Sequence, residues 1–209
     1  VQTCALPISE KKNIKIIMKM SGRENNYINS IYVVFGLILI AAFSRIIPHY
    51  PNFTPICSIA LFGAAYLRNT YTAYLLPLIA LFLSDIIINN YILSEFFDGF
   101  TLFYKGFFWQ YGSFIIITFL GRKLLTHISI KKVLGVSISS SLVFFIISNF
   151  GVWVSSSFYS KDIFGLFSTY LVAIPFYFGT LGGSLFYSLA LFGMYEIYSK
   201  KIIKIHVAK

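Results

Sequence analysis

Charged residues are scarce in this sequence of 209 residues, since Asp, Glu, Lys and Arg together make up 11% of it, against about 25% in a typical soluble domain. Hydrophobic residues make up 57%, and the mean hydropathy is +0.78. A soluble fold of this length could not bury so much Ile, Leu and Phe without exposing large apolar patches. The composition therefore excludes a soluble enzyme and predicts an all-α integral membrane protein.

Histidine and cysteine are also scarce, with three and two copies. Cys4 and Cys57 are too few for a disulfide framework. The histidines, at positions 49, 127 and 206, lack the paired spacing of a zinc site, and no glycine-rich stretch matches a nucleotide-binding loop. We therefore expect no metal, no cofactor and no enzymatic activity.

Acidic residues are the rarer of the charged groups, seven against 17 Lys and Arg. In a soluble protein such an excess indicates nucleic-acid binding, but here the basic residues flank apolar runs, where they report membrane topology. With six spans and the N-terminus inside, only Arg45, Lys105 and Lys161 fall on the outer side. We therefore expect a multi-pass protein of the inner (plasma) membrane, with both termini cytoplasmic and no nucleic-acid partner.

Six apolar runs are candidate membrane spans, although a full crossing takes about 20 residues. They are residues 28–47, 55–67, 71–88, 103–120, 133–154 and 163–198. Pro175 and a glycine cluster interrupt the last run, which has room for two spans. A seventh span would place the lysine-rich C-terminus outside, so we predict six spans and assign residues 163–174 to an interfacial or re-entrant helix.

The distribution of charge divides the chain into three parts. A basic N-terminal tail covers residues 1–27, a six-span membrane domain covers residues 28–199, and a basic cytoplasmic tail covers residues 200–209. Residues 1–9 have no periodicity and resemble translated adapter sequence, so we expect them not to be native.

The second apolar run is too short to cross a bilayer alone, because a helix rises only about 1.5 Å per residue. The segment before it contains Pro48, Pro51 and Pro55, and we call residues 48–55 the proline loop. Irregular backbone at membrane depth must be covered by protein or line a cavity. Thr54 followed by Pro55 is typical of a helix start, with a capping side chain and then proline at the first helical position.

Polar residues that follow or end three different spans fall at one outer depth. They are Arg45, His49, Asn52, Asp85, Asn149 and Trp153. An ionisable residue within a span is costly and is by default a functional candidate, and the natural partner of Asp85 is Arg45. We therefore predict that these six residues bind a small-molecule substrate in a pocket open to the outside.

Each of these residues also has a structural explanation. Arg45 and Asp85 can form an architectural ion pair, and His49 can lie in an interfacial loop. Trp153 can belong to an aromatic belt, and Asn149 can hold two helices together. These alternatives predict a polar cluster without a ligand.

Four segments resemble an uncharacterised bacterial membrane-protein family that is described as similar to the S components of energy-coupling factor (ECF) transporters. The segments are SRIIPHYPNFTPICSIALFGAAYL (44–67), LLPLIALFLSDIII (75–88), SNFGVW (148–153) and AIPFYFGTLGGSLFYS (173–188). The resemblance implies a six-helix bundle with an outward-facing pocket for a vitamin or its precursor, partly capped by the loop after the first helix. It also implies a transmembrane T component and a pair of ATPases as partners.

The leading interpretation is thus a substrate-binding subunit for uptake of a small vitamin-like nutrient. A membrane scaffold or assembly protein, in which the outer polar cluster is structural, is the alternative. A transporter that works without ATPases is a third.

Overall fold

The computed structural model describes residues 30–47, 50–97 and 99–207, and residues 201–207 by their backbone alone. The chain divides into two units, Val1–Val33 and Val34–Lys209. Of the first unit, only residues 30–33 are described, and they are helical. The predicted tail 1–27, with the doubtful residues 1–9, lies outside the described residues, as does His49.

The described residues form helices joined by short loops and contain no strand, which confirms the predicted all-α class. The helices are α1 (Ser30–Ser44), α2 (Ile56–Tyr66), α3 (Thr70–Ile87), α4 (Phe107–Leu124), α5 (Ile130–Ser155) and α6 (Ile163–Val207). A π-helical turn, Ile88–Ile92, extends α3, and a single 3₁₀ turn, Ser94–Phe96, follows it.

Three helical segments are long and apolar enough to cross a membrane: Thr70–Ile92, Ile130–Ser155 and Ile163–Lys200. No more than 33% of the most apolar window of each is buried within the protein, so most of these side chains are at least partly exposed, as in helices that contact lipid. Helices α1 and α2 are apolar but shorter.

Helix α2 forms the centre of the second unit. It packs against α3, α4, α5 and α6, and nine of its 11 residues are buried. A helix that is apolar on every side is stable only when it is surrounded by protein or lipid. At about 16 Å α2 is too short to cross a bilayer alone, which agrees with the length of the second apolar run.

A chain of buried serine hydroxyls connects α2 to α5 and α6. Ser137 on α5 lies 2.8 Å from Ser188 on α6, Ser188 lies 3.0 Å from Ser58 on α2, and Ser58 donates to the carbonyl oxygen of Ser184 at 2.9 Å. Small hydroxyl residues let helices approach closely and bond across the interface. These hydrogen bonds therefore fix α2, which directly follows the proline loop, against α5 and α6.

The start of α2 differs from the prediction. Pro55 precedes the helix rather than opening it, no side chain caps the first turn, and the carbonyl of Pro55 accepts from the N–H of Ile59. The predicted capping role of Thr54 is wrong, because Thr54 belongs to a tight turn in which its N–H donates to the carbonyl of Asn52 at 2.9 Å.

Helix α6 is continuous from Ile163 to Val207, so the predicted separate interfacial or re-entrant helix at 163–174 is wrong. Pro175 lies inside the helix, where it removes one backbone hydrogen bond without ending the helix. Such prolines are tolerated in membrane helices because neighbouring groups satisfy the freed carbonyl. The predicted tail from residue 200 is, up to Val207, the end of the same helix.

The first turn of α6 is capped by Asp162, whose Oδ1 accepts from the N–H of Gly165 at 2.7 Å and from the hydroxyl of Ser160 at 2.8 Å. These two hydrogen bonds hold the pKa of the exposed Asp162 carboxyl below its ordinary value, and the bond from the Gly165 N–H has the larger effect. Because the pKa is lowered in the folded state, the ionised carboxyl stabilises the helix at neutral pH. This stabilisation is lost as the pH falls through the lowered pKa and the carboxyl is protonated.

We expect the Gly165 amide resonance, followed by NMR in detergent micelles, to shift with a midpoint below the value of about 3.9 found for free Asp. The Asp162→Asn variant keeps an acceptor at the cap but has no carboxyl, so its Gly165 resonance should show no such titration. A midpoint at or above the ordinary value would contradict the cap.

Candidate functional site

A buried ion pair joins the end of α1 to the last turn of α3. Arg45 follows α1 directly, and its Nη2 lies 2.7 Å from Oδ1 of Asp85. The two side chains are only 8% and 5% exposed. The structure therefore confirms the pairing that was predicted from two isolated charges in apolar sequence.

Polar neighbours complete the ion pair. Nη1 of Arg45 donates to Oγ of Ser84 and lies 3.5 Å from the carbonyl of Leu81, while the hydroxyl of Tyr111 on α4 donates to Oδ2 of Asp85 at 2.8 Å. Buried charges need such additional bonds to offset their loss of hydration. Both carboxylate oxygens of Asp85 are thus engaged, and α4 is tied to α1 and α3.

A cavity of about 300 Å³, which we call the polar cavity, lies beside the ion pair. It is partly enclosed by the start of α2, the end of α3, the first turn of α4, the middle of α5 and the middle of α6. Its polar lining consists of Arg45, Asn52, Thr54, Asp85, Asn89, Tyr104, Gln110 and Thr180, and its apolar lining of Ile56, Ile88, Leu93, Phe97 and Phe144. This mixture of apolar walls with a few convergent polar groups is typical of small-molecule sites.

Two further cavities adjoin the polar cavity. The loop cavity, of about 490 Å³, shares Arg45, Asn52 and Thr54 with it. The small cavity, of about 190 Å³, lies between α5 and α6 and shares Asn52, Gln110 and Thr180 with it. Asn52 lines all three, so the proline loop is the point where they meet.

The backbone of the proline loop rests directly on α6. Asn52 has a φ of 60°, the left-handed conformation that Asn adopts more readily than other residues with a side chain. A Cβ at Gly179 would collide with the carbonyl oxygen of Pro51, and one at Gly183 would lie 2.7 Å from the backbone nitrogen of Thr54. The two glycines therefore permit the contact between loop and helix that closes one side of the polar cavity.

The predicted site residues have different places in the structure. Arg45, Asn52 and Asp85 line the polar cavity. Asn149 lines the small cavity, but its Nδ2 donates to the carbonyl of Phe145 in its own helix. Trp153 lines none of the three cavities, because its Nε1 donates to the carbonyl of Ser160 in the α5–α6 loop.

Sequence reasoning missed several residues at the site. Gln110 is one of only two glutamines in the chain, and an amide within an apolar run is a signal that could have found it. Tyr104 and Tyr111 gave no usable signal, since they are two of 15 tyrosines. Thr180 lies one residue after Gly179, in the glycine cluster that was interpreted as an interruption of the last apolar run.

The sequence from residue 25 to residue 205, which includes every residue of this site, matches a known protein family. The chain belongs to the family of unknown function DUF6580. Neither the curated proteins nor the solved structures contain a match to this DUF6580 chain.

Proposed function

We propose that this DUF6580 protein is the membrane-embedded substrate-binding subunit of a system for uptake of a small vitamin-like nutrient. In this proposal the polar cavity holds the nutrient, and the protein resembles an ECF S component with six spans. The observation that carries the proposal is a buried ion pair that borders a cavity of ligand size. Placing charge within an apolar bundle is costly, and such residues commonly mark a substrate path.

The proline loop supports the same proposal. It lies over α6 by close backbone contact at Gly179 and Gly183 and contributes Asn52 and Thr54 to the cavity lining. A loop held by prolines loses little entropy when a ligand binds, which favours affinity. A loop in this position is suited to cover a ligand that has entered from the outside.

A T component with a pair of ATPases is the proposed partner, and this rests on the resemblance to ECF S components alone. The protein itself is proposed to bind and release its substrate without chemical change.

The proposed orientation places the polar cavity at the outer side of the membrane. The opposite end of the bundle holds the basic residues Arg68, Arg122, Lys123, Lys131 and Lys132, which the positive-inside rule assigns to the cytoplasm. A reporter inserted between Leu125 and Ser129, or fused after Lys209, should therefore report cytoplasm, whereas one inserted in residues 156–162 should report the outside. A C-terminal reporter on the outside would contradict six spans.

Depletion of a compound from the growth medium tests the proposed uptake. Cells that express the protein with its native operon neighbours should remove one medium component faster than cells that express Thr180→Trp. Thr180 is 7% exposed and borders two cavities, so an indole there fills the space for the nutrient. The matched control is Phe178→Trp, because Phe178 is on the same helix but 64% exposed. Equal depletion by all three proteins would contradict uptake through this cavity.

Two substitutions at Asn52 separate the loop's shape from its contact with the nutrient. Asn52→Gly keeps the left-handed conformation and removes the amide, so we expect uptake affinity to fall about tenfold, or about 1.4 kcal/mol, with little change in thermal unfolding. Asn52→Ala should weaken affinity similarly and also lower stability by about 1 kcal/mol, because alanine is strained at positive φ. Unchanged affinity in Asn52→Gly would show that the amide does not contact the nutrient.

A membrane scaffold is the second candidate function. The observation that favours it is the completeness of the ion pair, in which Ser84 and Tyr111 bond to Arg45 and Asp85, as in an architectural pair. A scaffold predicts no depletion of any compound and an interaction with other membrane proteins that does not depend on Thr180.

A further inference from the structure

The charge balance of the polar cavity restricts what it can bind. Arg45 and Asp85 are the only charged side chains that line it among the residues that the structure describes. They are 2.7 Å apart and therefore cancel. The small cavity has no charged side chain in its described lining. A ligand with a net charge would lose its hydration without meeting an uncompensated opposite charge, which is unfavourable in a low-dielectric site.

Three buried polar atoms of the cavity lining have no partner among the described residues: Nε of Arg45 and Nδ2 of Asn89, which can only donate, and the hydroxyl of Tyr104, which can donate or accept. Nη1 and Nη2 of Arg45 are bonded to Ser84 and Asp85, but its Nε is buried and has no partner among the described residues. Nδ2 of Asn89, which is 7% exposed, is likewise buried and unpaired in the described part of the chain. Buried donors without partners are rare and costly in folded proteins. A ligand that offers acceptors at these two positions removes the cost.

The acceptors of the ion pair are already in use. Oδ1 of Asp85 accepts from Arg45, and Oδ2 accepts from the hydroxyl of Tyr111. A donor on a ligand would therefore have to share a carboxylate oxygen with Arg45 or Tyr111, whereas Nε of Arg45 and Nδ2 of Asn89 have no partner to share among the described residues. Aromatic rings at Phe97, Tyr104 and Phe144 line the same cavity, and such rings pack favourably on flat ligands.

We infer that the polar cavity selects an uncharged, planar heterocycle or amide that presents carbonyl or ring-nitrogen acceptors to Nε of Arg45 and Nδ2 of Asn89. This inference rests on the proposed function and names the class of its nutrient. The cavity is expected to reject forms of the same ring that carry a charged group, such as a carboxylate or an alkylammonium. Selection against charge comes from the closed ion pair, and selection for acceptors comes from the two unpaired donors.

Three probes that carry different groups on the same position of a pyridine ring test the inference: nicotinamide, which is uncharged, nicotinate, which is an anion, and 3-picolylamine, which is a cation at neutral pH. Binding is measured by the rise in unfolding temperature of the full chain in detergent, at matched probe concentrations. We expect nicotinamide to raise the unfolding temperature of the wild type more than either charged probe. Thr180→Trp should lose this response, whereas Phe178→Trp should keep it.

Variants at Asn89 test the role of the unpaired donor. Asn89→Leu removes the donor at similar volume, so the apparent affinity for nicotinamide should fall about tenfold, the usual cost of one lost hydrogen bond. Asn89→Asp replaces the donor by a carboxylate and should shift the preference to 3-picolylamine. This gain of binding also shows that the variant is folded.

The results with the three probes distinguish the inferred class of ligand from the proposed function on which it rests. Stronger binding of nicotinate or 3-picolylamine to the wild type, lost in Thr180→Trp, would overturn the inference and leave a ligand-binding cavity in place. No response of the wild type to any probe would overturn the inference, whereas the proposed function would be overturned by equal depletion of the medium in wild type and Thr180→Trp. Equal affinity of wild type and Asn89→Leu for nicotinamide would overturn the assigned donor.

Discussion

Replacing either Asp85 or Arg45 by leucine is expected to destabilise the protein by about 3 to 5 kcal/mol, because each change leaves one charge buried without its partner. The side chains are 5% and 8% exposed, so water cannot compensate either charge. The double variant removes both charges and should recover much of the loss. The measurement is reversible unfolding in mixed micelles, with the two single variants and the double variant compared as a cycle.

Lys105→Leu is the matched control for this cycle. Lys105 is exposed, so removing its charge should change stability by no more than about 0.5 kcal/mol. A double variant as unstable as the sum of the two single variants would contradict the pairing. A stable double variant that depletes no compound from the medium would show that the ion pair also takes part in binding the nutrient. A stable double variant with normal depletion would favour a purely architectural role.

Gly183→Ala is expected to lower stability by about 1 to 3 kcal/mol, the usual cost of overpacking a close contact. The added Cβ would lie 2.7 Å from the nitrogen of Thr54 and 2.8 Å from its carbonyl oxygen. Both are backbone atoms of the proline loop, which cannot rotate away as a side chain does. The loop must therefore lift from α6, and we expect substrate depletion to fall together with stability.

Gly182→Ala is a close control, since it is the preceding residue of the same helix. Its added Cβ would meet only the ring of Phe53 at 3.4 Å, an ordinary contact. Alanine is a better helix former than glycine by about 1 kcal/mol, so Gly182→Ala should be neutral or stabilising. Equal stability of the two variants, measured by thermal unfolding in detergent, would show that the loop does not rest on Gly183.

The sequence was informative where chemistry leaves few alternatives. Asp85 is one of only three aspartates, and within apolar sequence at that depth it had one plausible cationic partner, Arg45. The short second run also predicted a helix that cannot cross a bilayer alone, and α2, with 11 residues, is such a helix. These features depend on charge and length, which single residues and simple counts reveal.

The sequence was less informative about features that depend on how helices and loops pack against each other. Pro175 and the nearby glycines are ordinary signals of a helix break, yet α6 continues through them. Gly179 and Gly183 instead leave room for the backbone of the proline loop. Trp153 was predicted to join the other polar residues at the site, but its indole N–H donates to the carbonyl of Ser160 in the adjoining loop. The hydroxyl of Tyr111 donates to Asp85. The sequence could not identify this residue, because aromatic residues make up 19% of the chain and nothing distinguishes Tyr111 from the others.

The most direct test of the central claim, that the polar cavity holds a nutrient, is mass spectrometry of the small molecules released on denaturing the purified protein. The wild type, prepared from cells grown in rich medium, should release one uncharged non-lipid compound in near-stoichiometric amount. Phe178→Trp should release the same compound, and Thr180→Trp should release none. Release of lipid alone from all three proteins, or equal release of the compound from Thr180→Trp, would contradict the claim.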